Sequence, residues 1–241
     1  VFTGKASTAP NNTPDGYTLR FLADVSAEAW GVISQGAGTD GSDIDLIAGC
    51  IMFRAGTAVA DTWRGVGRCG FVFNTSGIGA GQTITSSSLA IWVNDKQDTL
   101  GVTPDWNVTS FNPTVSSTIS AADHVTVSSS PRFATAVTYA GTVAGKYTYF
   151  RFNSTGNAAI KMTSTTPLGL RNENYDIANT APVWQSNLRS DFNIYFADND
   201  IGGANTSTPR LEVTYAAAGG GAAAVDDGLF DRRRASLLEI Q

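Results

Sequence analysis

From Arg68 to Val93 apolar and polar positions alternate with the period of two that a β-strand imposes, broken once by glycines. Phe71 and Phe73 flank Val72, and Gly77, Gly79 and Gly81 then supply the conformational freedom of a tight surface connection. Leu89, Ile91 and Val93 share one face of the next run, with Ala90 and Trp92 on the other. The stretch predicts strand, turn and strand in a half-buried antiparallel sheet. The same grammar recurs along the chain. Strands are predicted at Tyr17–Val25, Leu46–Phe53, Trp106–Phe111, His124–Val127, Phe133–Tyr139, Tyr147–Asn153, Leu168–Leu170, Phe192–Ala197 and Arg210–Tyr215. Ala27–Val32 and Ala158–Met162 suit a strand or a helical turn equally, and Gly36–Asp45 reads as a loop. Strands spaced at about ten residues, with turn residues between them, predict an all-β fold: an antiparallel β-sandwich or jelly roll.

Two ends depart from this pattern. Residues 1–16 form an N-terminal arm of little periodicity ahead of a domain spanning 17–215. Residues 216–225 are an Ala/Gly linker with no side chains to pack. Residues 226–241 then place Leu229, Phe230, Leu237, Leu238 and Ile240 around the basic triplet Arg232, Arg233 and Arg234. Apolar anchors beside a charged cluster are a composition that docks a short segment into a groove, on a neighbouring chain or back on its own sandwich.

Composition narrows the function classes. Charged residues make up 15% of the 241 and aromatics 10%, a balance that suits short strands and many turns and argues against a helical bundle. Net charge is −5, and the only basic run is Arg232–Arg234, so nucleic acid is not expected as a main partner. No stretch is long and apolar enough to predict a membrane span. Cys50 and Cys69 are the only cysteines, read either as small buried hydrophobes or as a disulfide between neighbouring strands.

Candidate chemistry is sparse. Asp40, Asp43 and Asp45 in one loop, and Asp198 and Asp200 in another, are the oxygen-rich groupings that could hold Ca²⁺. Neither has the spacing or closing glutamate of an EF-hand, and solvated acidic turns are the preferred reading; no cofactor is expected. His124, the single histidine, stands beside Asp123, but neighbours on a strand point to opposite faces, so Asp123 would orient it poorly for catalysis. There is no nucleophile elbow, phosphate loop or dinucleotide fingerprint. The chain reads as no enzyme. Trp30, Trp63, Trp92, Trp106 and Trp184 could offer a sugar-stacking platform or fill the core, and Trp92, opposite the Leu89/Ile91/Val93 face, is the best-placed stacking candidate.

Two stretches carry a family resemblance. Phe71-Val72-Phe73-Asn74-Thr75-Ser76-Gly77-Ile78, continuing to Leu89-Ala90-Ile91-Trp92-Val93, and the closing Thr208-Pro209-Arg210-Leu211-Glu212-Val213-Thr214-Tyr215 resemble the opening and closing segments of DNRLRE-type β-sandwich domains, found in secreted and bacteriophage virion proteins. Leu170-Arg171-Asn172-Glu173 is a loose counterpart of that family's arginine–glutamate hallmark. The family is related to a group of carbohydrate-binding modules, so the resemblance implies a β-sandwich and a glycan ligand on a cell surface.

The expectation from residues and resemblance together is a non-enzymatic structural subunit of a large extracellular or virion assembly. Its most concrete form is a phage capsid-decoration or tail-associated protein whose partners include copies of itself. A secreted carbohydrate-binding or adhesion module is the alternative.

Overall fold

Alternating apolar positions need a second layer to cover them, and the chain supplies it by curling one antiparallel sheet over itself. The computed structural model describes residues 2–3, 14–43, 47–197 and 207–217. Among these are thirteen strands: β1 (Phe2–Thr3), β2 (Asp15–Phe21), β3 (Glu28–Ala29), β4 (Asp40–Ser42), β5 (Ile47–Ala55), β6 (Thr62–Asn74), β7 (Gln82–Asp98), β8 (Trp106–Phe111), β9 (Val127–Arg132), β10 (Lys146–Arg151), β11 (Thr165–Asn172), β12 (Arg189–Tyr195) and β13 (Arg210–Ala217). Two short helices, α1 (Trp30–Ile33) and α2 (Ser154–Ala159), interrupt them. The strand order is β1-β13-β7-β12-β5-β6-β11-β8-β9, with β10 added to β7 and β2 and β3 to β6. The all-β sandwich class is as expected.

Two strands organise the rest. β7 runs for 17 residues and pairs with β13 along its first half, β12 along its second and β10 on the opposite edge. β6 carries β2, β5 and β11. Its Cys69, Phe71 and Phe73 enter the main core with Leu89, Ile91, Trp106, Phe150 and Phe192. Trp106 stacks on Phe192 at 4.5 Å and meets Phe150 edge-on at 4.9 Å. Burying each such ring stabilises the fold by about 1.5–3 kcal/mol. The other face of β6 is covered too: Val72 packs with Phe111, Ile119 and Val127. The half-buried sheet predicted for this stretch is therefore half right. β7 alternates as expected, whereas β6 is buried on both faces from Val66 to Phe73. That second cover needs close approach, which Gly70 and Gly169, paired across β6 and β11, permit. A Cβ on Gly70 would stand 2.6 Å from the Phe111 ring, and one on Gly169 2.6 Å from Val127 Cγ1.

Several boundaries move. The arm is partly sheet, since β1 pairs with β13 and Asp15 and Gly16 already belong to β2. Ala216 and Ala217, assigned to the linker, extend β13 against Thr83 and Gln82. The loop assigned to Gly36–Asp45 contains β4, which pairs with β2. Phe133–Tyr139 forms isolated bridges, Ala134 to Phe152 and Val137 to Trp106, in place of a strand, because its partners there are single residues at strand ends. His124 sits at the end of a 3-10 turn, Ala121–His124, and not on a strand. No helix among the described residues is long and apolar enough to cross a membrane.

Candidate functional site

The second cover over β6 holds an ionic cluster. Arg68 on β6 and Arg171 on β11 come together because Leu170 is registered with Cys69 across the two strands. Asp176 reaches them from a π-helical turn, Glu173–Ile177, started by the Asn172 side chain accepting the Tyr175 N–H. Each arginine holds the Asp176 carboxylate through two nitrogens. Arg68 donates from Nε at 2.9 Å and Nη2 at 2.8 Å, and Arg171 from Nε at 2.9 Å and Nη2 at 2.7 Å. Two guanidiniums and one carboxylate leave a surplus positive charge. Carbonyl oxygens of Ser34, His124, Val127 and Asp176 accept the remaining N–H groups. Burial pushes the Asp176 carboxyl up, but the two arginines outweigh it and hold its pKa down to about 2.

His124 closes the cluster. It is fully buried, with Nε2 3.1 Å from the Val66 carbonyl and Nδ1 between the Gly36 carbonyl at 3.2 Å and Arg68 Nη1 at 3.4 Å. Protonated on Nε2, the neutral ring donates to Val66 and its Nδ1 accepts from Arg68; protonated on Nδ1, it donates instead to the Gly36 carbonyl. Burial, and then the Arg68 charge, depress its pKa to about 3, so the ring is neutral across the physiological range. Asp123 does not serve it. The Asp123 carboxylate caps its own turn, accepting from the N–H and hydroxyl groups of Thr114 and Ser120. The network ties β6, β9, β11 and three connecting segments together. Chemically it is a bolt: Asp176, His124, Arg68 and Arg171 are all at most 4% exposed.

The outer face of β7 and β10 is different. Trp92 is half-buried opposite Tyr147, edge-on at 5.2 Å, and Tyr149 follows at 6.2 Å with 48% of its surface exposed. Arg210, opposite Ala90 on β13, lies 4.6 Å over the Tyr147 ring, whose hydroxyl donates to the Thr208 carbonyl. Ser88 donates to Glu212 beside them. The result is a row of aromatic rings edged by hydrogen-bonding groups. Trp30, Trp63 and Trp106 are core residues, and Trp184 is half-buried with its N–H on the Thr62 carbonyl.

Of the acidic candidates, Asp40 sits on β4, where it accepts from Tyr17 and from the Gly41 N–H. No group of three or more metal-ligating side chains occurs among the described residues, which include Asp43 but not Asp45, Asp198 or Asp200. Cys69 is disulfide-bonded, not a free thiol. Cys50, on β5, is the only other cysteine in the sequence and so the one candidate partner within the chain. The tail residues Leu229, Phe230, Arg232, Arg233, Arg234, Leu237, Leu238 and Ile240 lie outside the described residues.

Sequence reasoning missed Arg68, Asp176, Tyr149 and Arg210. A signal for Arg68 existed: it interrupts a run of apolar and small residues where a solvated charge has no place. No protein-family model matches the chain, and no curated protein matches it.

Proposed function

We propose that the chain is a non-enzymatic structural subunit of a large extracellular or virion assembly, most concretely a phage decoration or tail-associated protein, held to its neighbours by residues 226–241. The observation that carries the reading is the commitment of the interior's most perturbed titratable groups to the scaffold. Asp176 and His124 spend their hydrogen bonds on two buried arginines and backbone carbonyls, which is how a fold is bolted and not how a reacting group is presented. The disulfide at Cys69 favours an oxidising setting outside the cytosol. β13 ends at Ala217, against Gln82, and the Ala/Gly linker hangs the tail from that end of the sheet.

The test is a chain ending at Ala217 compared with the full chain by sedimentation velocity. The shortened chain is expected to keep its melting temperature within a few degrees and to lose self-association. Undiminished association after removal of residues 218–241 would overturn the reading.

The aromatic row supports a second reading, a glycan-binding module. Aromatic side chains such as Trp92 and Tyr149 on one face offer apolar contact to sugar faces, with Arg210 and Glu212 beside them for hydroxyls. Trp92→Ala is expected to weaken binding to a responsive polysaccharide by about tenfold or more, the loss of one aromatic anchor, as measured by tyrosine fluorescence titration. Unchanged affinity sinks it.

A further inference from the structure

A separate feature lies at the far end of the sheet. Arg54 on β5 and Arg189 on β12 are registered directly opposite each other, and Arg64 on β6 neighbours Gly65, the partner of Arg54 on its other side. Like charges facing each other across strands oppose pairing. The arginines are also short of acceptors. Among the described residues, the Arg54 side chain donates only to Asn187, and Arg64 has only Asp24 at 4.0 Å and the Phe21 ring. Both Nε–H groups are covered and unpaired. Arg189 is better served, by Asp191 and Gln97, with its side chain 44% exposed. Among the described residues, Asp24 and Asp191 are the carboxylates paired with them, one fewer than the three cations.

The surrounding loops each expose a valine. Val25, Val59 and Val183 are 90%, 61% and 72% exposed. They belong to segments tied to one another: Asp24 accepts from the Thr57 N–H, the Thr62 hydroxyl donates to the Val59 carbonyl, and the Trp184 N–H donates to the Thr62 carbonyl. Arginines that lack acceptors, rimmed by exposed valines, fit a short peptide that is acidic and apolar at once.

The chain contains such a peptide. Val225–Asp231 reads Val-Asp-Asp-Gly-Leu-Phe-Asp, and the basic triplet Arg232–Arg234 follows it directly, beyond the part that docks. We propose that this segment of a second copy docks on the Arg54/Arg64/Arg189 face, its aspartates meeting the arginines and Leu229 and Phe230 meeting the valine rim. The proposal rests on the tail-mediated assembly put forward above and names the surface that receives the tail. Reach decides between copies. Ala217 pairs with Gln82 at the start of β7, whereas Arg189 bonds Gln97 and Thr99 at its end. That separation is about 50 Å along the strand. Asp226 and Asp227 follow Ala217 by nine and ten residues, a span of at most about 35 Å. A chain's own Asp226 and Asp227 fall short, and Asp231, fourteen residues after Ala217, arrives only at full extension, about 50 Å; those of a neighbour are not so constrained.

Full-length chains carrying R54S/R64S/R189S, or D226N/D227N/D231N, are expected to weaken self-association by at least about tenfold in sedimentation equilibrium. The arginine variant should keep or raise its melting temperature, since repulsion is relieved. The reversed chains R54E/R64E and D226K/D227K should each associate poorly alone and pair when mixed, which separates docking from misfolding. If removing residues 218–241 abolishes association but neither the arginine variant nor the mixture responds, the tail docks elsewhere and this site is wrong. If that removal has no effect, the assembly reading itself fails, and this inference with it.

Discussion

Asp176→Asn is expected to destabilise the fold by about 3–5 kcal/mol, the cost of leaving buried charge without its partner. Among the described residues its carboxylate is the only anion paired with Arg68 and Arg171, and four charge-assisted hydrogen bonds converge on it. An asparagine turns two N–H donors toward guanidiniums that are themselves donors, so repulsion is added to the lost attraction. Guanidinium unfolding of the two chains reads the difference directly, and a loss below about 1 kcal/mol would place the cluster among energetically idle ion pairs. The triple change Arg68→Met, Arg171→Met and Asp176→Leu is expected to recover most of the loss. It removes the desolvation cost along with the attraction, and buried ionic triads replaced by apolar side chains are often neutral or stabilising.

Stability is expected to fall as pH drops from 6.5, through His124. Above that pH the ring is neutral in both folded and unfolded chains, and its contribution to stability is fully present. Below it the unfolded chain takes up a proton at about its ordinary value, while the folded chain resists until pH about 3. The unfolded state then binds more protons, and stability declines by up to about 1.4 kcal/mol per pH unit, about 2 kcal/mol by pH 5. His124 is the single histidine, so the fall between pH 6.5 and 5 is expected from it, with Asp191, whose pKa burial raises, acting against it toward the acid end. His124→Gln should flatten that slope while costing stability at pH 7. Asp176 adds a second decline: its contribution is present above the unfolded value of 3.8 and is lost as pH falls toward about 2. Urea midpoints at pH 7, 6 and 5 test the first decline, and a flat profile would mean that His124 is not the buried neutral ring described.

How much of this could be read from the residues depends on the range over which the physics acts. β7 was legible because the alternation of Leu89, Ile91 and Val93 against Trp92 is a property of neighbours in sequence. So was the β-sandwich class. The double burial of β6 was not, because the layer covering Val72 comes from Phe111, Ile119 and Val127, which sit far along the chain. Arg68 shows the same limit. Its partner Asp176 is 108 positions away, in a π-helical turn that no short pattern announces. Trp92 was placed correctly on the outer face, but its company of Tyr147, Tyr149 and Arg210 is a product of strand pairing. The arginines at 54, 64 and 189 gave no local sign because each belongs to a different strand, and only the register sets them together.

The length of β7 has a consequence for how the chain acquires its shape. Its residues are made early, yet their partners on β10, β12 and β13 lie from residue 146 to 217. Almost every hydrogen bond along this strand therefore closes a long loop. Chains dominated by such non-local pairing fold slowly, in milliseconds to seconds, and expose strand edges while they wait. A ribosome-bound chain stopped before Arg210 would leave the first half of β7 without the strand that covers one of its edges. Maturation must therefore follow synthesis of β13, and the interval before it is when these chains are most exposed to pairing with one another out of register.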